Sequence, residues 1–344
     1  MRHHRIIILV LAFSASTLAA TKRVAQSAFP STLPSEITVA ADGSGMFKTV
    51  QEAVDAIPGY PHHSYQIHVL PGIYTQQVTV PRLKSSISIW GDDPATTVLT
   101  FDLGATMLGA DHKAIGTFAT PSVRILADDF TAKNITFQNT FGPHGQALAI
   151  EIAGDRVAFD NCRFLGWQDT VFADSDGRNY FHNCYIEGHV DFIFGKSTAV
   201  FDSCEIHSKA KGYLTASSTE KGTRWGYVFL HCKLTADKGV PDGSVYLGRP
   251  WRPFGATAFI DCRMGPHIRP KGWFNWKNPA NEKTARYAEY GSTGPGASAS
   301  TRVSWAKQLS QREAAGYTVL DILAGWEGWV PPFYQGAATT PPRP

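Results

Sequence analysis

The sequence predicts an all-β fold: a single-stranded, right-handed parallel β-helix, a solenoid, with a short helix capping its N-terminal end. Three observations carry this. Five segments share one pattern, a phenylalanine, two residues and a cysteine: Phe159–Cys162, Phe181–Cys184, Phe201–Cys204, Phe229–Cys232 and Phe259–Cys262. A sixth, Phe137 to Thr140, has the same shape with threonine at the end, and the phenylalanines recur at intervals of 22, 22, 20, 28 and 30 residues. Each interval holds short β-type runs such as 156–159 and 199–201, broken by Gly and Asn, with no room for a long helix. Self-similarity at this period signals a solenoid, each repeat forming one rung and neighbours stacking at the strand spacing of ~4.8 Å. Leucine-rich repeats share the period, but their leucine pattern is missing. An ordinary β-sandwich would make the spacing a coincidence. Right-handed coiling follows from the handedness of parallel crossovers.

In chain order, residues 1–20 read as a secretory signal. Arg2 and Arg5 open it, Ile6 to Phe13 form a short apolar run, and small residues follow at Thr17, Ala19 and Ala20. The run is too short to span a bilayer comfortably, and no other long apolar run appears. A soluble chain is therefore expected, secreted or periplasmic, with no membrane partner. Residues 21–36 read as a loose lead-in, 37–330 as the β-helix, and 331–344, rich in Pro, Ala, Thr and Gly, as a loose tail. The first twenty residues hold two of the 32 basic residues and none of the 29 acidic ones, so without them the chain is close to neutral. Overall charge thus gives no sign of a nucleic-acid partner, and attraction for any polyanion must be local.

Thr49-Val-Gln-Glu52 has capping-box spacing, and Ala53, Val54 and Ile57 continue an apolar stripe that Pro58-Gly59 ends. This is the short capping helix.

Counting forward from the cysteine position of each rung locates candidate chemistry. Asp169 lies seven residues after Cys162, and Asp191 seven after Cys184, so the two share a column on adjacent rungs. Gln168 lies six after Cys162, and Gln146 six after Thr140, which places two glutamines in a neighbouring column. Two carboxylates one rung apart cannot both ionise cheaply, so one serves as an acid while the other acts as nucleophile or base. Side-chain amides beside them can donate to an oxyanion. An isolated aspartate would read as a polar group at a loop corner; four aligned groups beside Asp191-Phe-Ile-Phe194 read as a site. No Gly-x-Ser-x-Gly elbow, His-Glu-x-x-His zinc motif or phosphate loop is present, and the cysteines lie at rung spacing rather than zinc-ligand spacing.

Four segments, Gly145-Gln-Ala-Leu-Ala149, Gly166-Trp-Gln-Asp-Thr170, Asp191-Phe-Ile-Phe-Gly195 and Leu247-Gly-Arg-Pro-Trp251, together with the opening from Val39 to Val54, resemble the pectin methylesterase family in kind and order. The likeness covers about residues 37–330. It implies a right-handed parallel β-helix that hydrolyses methyl esters of polygalacturonate through an aspartyl acyl-enzyme. It implies Asp191 as nucleophile, Asp169 as general acid then base, Gln146 and Gln168 as oxyanion donors, Arg249 as the residue that orients Asp191, and Trp251 as a sugar-cleft aromatic. It implies methylated pectin (homogalacturonan) as partner and no metal or organic cofactor; a monomer is expected. Trp273 is a second candidate for substrate binding, set against a role in core packing. The family's usual Gly-x-Tyr-x-Glu appears as Gly72-Ile-Tyr-Thr-Gln76. A β-helical lyase would want calcium-binding acids with a basic residue, and a galacturonase several aspartates around an inverting site. A carbohydrate-binding relative, or an esterase for another acyl group, would keep the fold without these roles.

Five cysteines cannot all pair within a monomer. Equivalent positions stack Cys162, Cys184 and Cys204 at a spacing a disulfide accepts. Cys184–Cys204, with the shortest interval, is the preferred bridge. A ladder of buried free thiols is the alternative.

Overall fold

The repeated phenylalanines stack. In the computed structural model, which describes residues 33–336, the strands around them pair in parallel with Phe159, Phe181, Phe201, Phe229 and Phe259 in register. Successive ring centroids lie 5.0, 4.6, 4.5 and 4.4 Å apart, and every ring is buried. Aromatics stacked at the rung repeat pack the solenoid interior. The expected secretory signal and the last eight residues lie outside the described residues. No helix among the described residues is long and apolar enough to cross a membrane.

The rungs form a parallel β-helix. An eleven-stranded sheet runs in chain order from Glu36–Val39 to Lys307–Gln308. Two further columns of parallel strands complete each turn. They fuse where the long strands Tyr185–Gly195 and Glu205–Ser217 bend from one column into the other. The polar residue before each cysteine makes the corner between the first and second columns. Asn161, Asn183, Ser203, His231 and Asp261 have φ of 49°, 51°, 56°, 55° and 51°. Asn and Asp adopt this left-handed conformation at least cost, which accounts for the pattern in the sequence. Asn161 Nδ2 donates to Asn134 Oδ1 on the preceding rung at 2.9 Å.

Two expectations are corrected. Phe137 does not belong to the phenylalanine column: Ala132 pairs with Phe159, while Phe137 pairs and stacks with Phe164 in the second column, centroids 5.3 Å apart. Ile135, not Thr140, therefore matches Cys162, and the segment before Gln146 holds five more residues than its counterpart before Gln168. The cysteines form no bridge. All five are buried and free, and the Cys184 N–H donates to Cys204 Sγ at 3.4 Å. Their thiols donate weakly to carbonyls, as Cys232 Sγ does to Phe201 O at 3.1 Å.

The N-terminal helix is Val50–Ala56; Thr49 and Glu52 form both halves of its capping box, and Val50, Ala53 and Val54 are buried. Gln76 lies beside it, its side-chain oxygen accepting from the Gln51 N–H at 3.4 Å. Near the C-terminus of the chain, Val319, Ile322 and Leu323 cover the apolar stripe of the first sheet, Val200, Val228 and Ala258 among it. Phe333 and Tyr334 pack on the same cluster, so the chain is held past residue 330, where the sequence reads as a loose tail.

Candidate active site

Two aspartates occupy equivalent corners of adjacent rungs. The strand Val171–Ala173 pairs with Ile193–Gly195, which puts Asp169 and Asp191 in register. Both have left-handed backbones, φ 66° and 52°. Around Asp191 the long strand slips register against its neighbour, between Gly188 and Ile193. A bulge of this kind re-aims a side chain out of the pleat, and such sites concentrate at functional positions. Each aspartate is only 6 % exposed.

Their environments differ. Arg249, in the strand Val245–Pro250, donates from Nε to Asp191 Oδ1 at 2.9 Å and from Nη2 to Oδ2 at 2.6 Å. Its guanidinium is itself clamped between two rings, its central carbon 3.8 Å from the centroids of Tyr213 and of Trp276. Tyr213 stacks in turn on Tyr246 at 5.3 Å. No side chain among the described residues donates to Asp169. Burial and then the Asp191 charge push its carboxyl up to about 8, with Arg249 opposing. Burial raises Asp191 above its ordinary value as well, but there the hydrogen bonds and charge of Arg249 offset part of the rise. Asp169 is therefore the group that keeps a proton near neutrality, and Asp191 the one whose carboxylate form Arg249 favours.

Gln146 and Gln168 face each other across a parallel bridge, as the two-column expectation has it. Neither side-chain amide is used by the described residues, so both keep their donors for a ligand. Beside the aspartates runs an aromatic row: Phe118 to Phe172 at 5.1 Å, Phe172 to Phe194 at 4.5 Å, Phe194 to Trp251 at 5.7 Å. Phe172 and Phe194 each stand three residues after an aspartate.

Gln146, Gln168, Asp169, Asp191, Arg249 and Trp251 are thus brought to one face. Trp273 is not. It is 1 % exposed, stacks on Tyr287 at 4.3 Å, and donates from Nε1 to Glu289 Oε1 at 3.0 Å. It fills the solenoid interior and cannot offer a sugar a face. Sequence reasoning missed Tyr213 and Trp276. Tyr213 had a signal, lying 22 residues after Asp191 just as Asp191 lies 22 after Asp169. Trp276 sits in a loop that no phase count reaches. Among the described residues no group of three or more His, Cys, Asp or Glu could hold a metal ion.

The chain is similar to known proteins over most of its length. The Pectinesterase family model matches residues 36–326. Pectinesterase 31 of Arabidopsis thaliana is 44 % identical over 286 residues, 81 % of this chain and 89 % of the relative. The structure of a pectin methylesterase from carrot superposes with a TM-score of 0.78 at 35 % identity, over 86 % of this chain and 95 % of the other. A pectin methylesterase in complex with a hexasaccharide gives 0.75 at 28 % identity, over 86 % and 98 %.

Proposed function

The chain belongs to the pectinesterase family, and from that membership we propose that it hydrolyses methyl esters of polygalacturonate at the paired aspartates, giving pectate and methanol. The observation that carries the reading is the inequality of the pair: Asp191 is gripped on both oxygens by Arg249, and Asp169 has its carboxyl pushed up to about 8.

That inequality divides the work. Asp191 attacks the ester carbonyl at C6 of a methylated galacturonate, and the carbonyl electron pair moves to oxygen. The amides of Gln146 and Gln168 receive this oxyanion; one such donor is worth ~3 kcal/mol in a transition state. As the carbonyl re-forms, the C–O bond to the methyl ester oxygen breaks, and Asp169 supplies the proton that releases methanol. The galacturonyl group is then joined to Asp191 as a mixed anhydride. Asp169, now a carboxylate, takes a proton from water, whose oxygen attacks the same carbon. Asp191 leaves as a carboxylate and Asp169 is protonated again. Every proton and electron pair comes from the ester, water and the two aspartates, so the steps call for no metal or organic cofactor. Trp251, at the end of the aromatic row, offers the sugar chain a flat face.

Methanol release from highly methylated pectin tests this. Asp191→Asn and Asp169→Asn should each lose activity by roughly a thousandfold or more, the scale on which removing one member of a catalytic unit acts. Wild-type turnover in either variant removes that residue from the mechanism. The chain is further read as an exported monomer, secreted or periplasmic. A mature protein whose N-terminus falls near residue 21 supports export, and an intact Met1 in active material opposes it.

A further inference from the structure

Away from the aspartates, two adjacent loops carry cations over aromatic rings. Residues 218–226 and 251–255 leave consecutive rungs, since Ser217 pairs with Pro250 and Tyr227 with Thr257. Arg252 lies 4.6 Å from the Trp251 ring, Lys221 5.9 Å from that of Phe254 across the two loops, and Arg224 4.6 Å from that of Trp225. All three cations are exposed and all three rings half-buried. None of the cations has a carboxylate partner among the described residues. The adjoining Glu220 is engaged instead by Lys196, at 2.9 Å. Beyond Trp225 the loops open into a groove of about 520 Å³ lined by Arg224, Trp225, Arg286, Trp305 and Tyr317. Its one acid, Glu313, is paired with Lys307.

We propose that this row, from Arg252 through Lys221 to Arg224 and the groove, binds an anionic stretch of polygalacturonate, the product of the reaction. The inference rests on the function proposed above. Each galacturonate presents one carboxylate, and the row offers three exposed cations, each held over an aromatic ring and without a protein carboxylate among the described residues. A methylated stretch lacks the charge, so the cations select product over substrate.

Binding is measured on the Asp191→Asn chain, which leaves the ligand unchanged, with and without Lys221→Ala/Arg224→Ala. The double substitution should weaken a fully de-esterified oligogalacturonate by roughly fivefold to tenfold, as expected for two exposed ion pairs, and leave a fully methylated oligomer unaffected. The difference should shrink with added salt, which screens exposed charges beyond about 8 Å at physiological strength. In the active chain the same substitutions should leave methanol release from a methylated oligomer unchanged, which shows that the protein is folded. Unchanged affinity for the anionic oligomer, or equal loss for both oligomers, overturns the proposal. If the double variant does not fold, Arg224→Gln carries the same comparison with a smaller loss expected. Binding is read on an inactive protein, so its failure is separable from that of the function itself, which shows as wild-type protein releasing no methanol.

Discussion

Arg249 and Asp191 meet in a two-pronged pair, 2.9 and 2.6 Å, across 58 residues of chain, and two aromatic rings hold the arginine in place. The planar fork matches a carboxylate, and the rings fix the plane of the fork. The pair favours the charged form of one of two buried aspartates, and that charge raises the pKa of its neighbour.

Arg249→Lys should therefore lower kcat by roughly a hundredfold although the positive charge is retained, because an ammonium cannot grip both oxygens at once. Methanol-release kinetics check this. A variant with unchanged kcat would show that charge alone suffices.

Tyr213→Leu and Trp276→Leu should act through Arg249. With the guanidinium loosened, Asp191 is less favoured as a carboxylate, its pKa rises, and activity is lost on the acidic side. The acidic limb of the kcat/KM profile should move to higher pH, while Tyr213→Phe and Trp276→Phe restore it. A rise in KM with the limb unmoved would assign these rings to substrate binding instead.

In the proposed mechanism Asp169 is protonated when methanol leaves, so kcat/KM should fall as pH rises through about 8. The same shift costs stability. Between its ordinary pKa of 3.8 and about 8, the folded chain binds a proton that the unfolded chain releases, so stability declines as pH rises across that window. Asp169→Asn should raise Tm at pH 8, on the order of 5 °C, and change it little at pH 4. Scanning calorimetry at the two pH values checks the sign; equal effects at both would place the proton elsewhere.

The two tryptophans should separate cleanly. Trp251→Ala should raise KM for pectin with little change in Tm. Trp273→Ala empties a buried site and leaves Glu289 short of a donor, so it should cost about 3–5 kcal/mol of stability. Thermal melts beside steady-state kinetics decide. A purely kinetic effect of Trp273→Ala would contradict its burial.

Thiol titration of the denatured, unreduced protein should find five free cysteines per chain. Three would restore one bridge between neighbouring rungs.

The solenoid was legible in the sequence because a β-helix repeats its interior once per rung. Phenylalanines that must stack have to recur, and the left-handed corner before each cysteine admits few residues, so both leave a periodic trace. The same phase placed Asp169 over Asp191, since no insertion separates Cys162 from Asp169 or Cys184 from Asp191. It puts Gln146 opposite Gln168 only because two offsets cancel: Phe137 lies outside the stack, and the loop before Gln146 is longer by the same amount. Periodicity cannot see what loops and bulges do. Only the tertiary structure decided that Arg249 reaches Asp191, that Trp276 comes from an irregular loop to clamp it, and that Trp273 turns into the core while Trp251 lines the site. Those outcomes depend on where chain segments tens of residues apart meet, and on which side of a strand a side chain leaves. A count along the sequence holds the order of rungs; the direction of side chains and the proton shared unequally between two aspartates arise only when burial and charge act on them together.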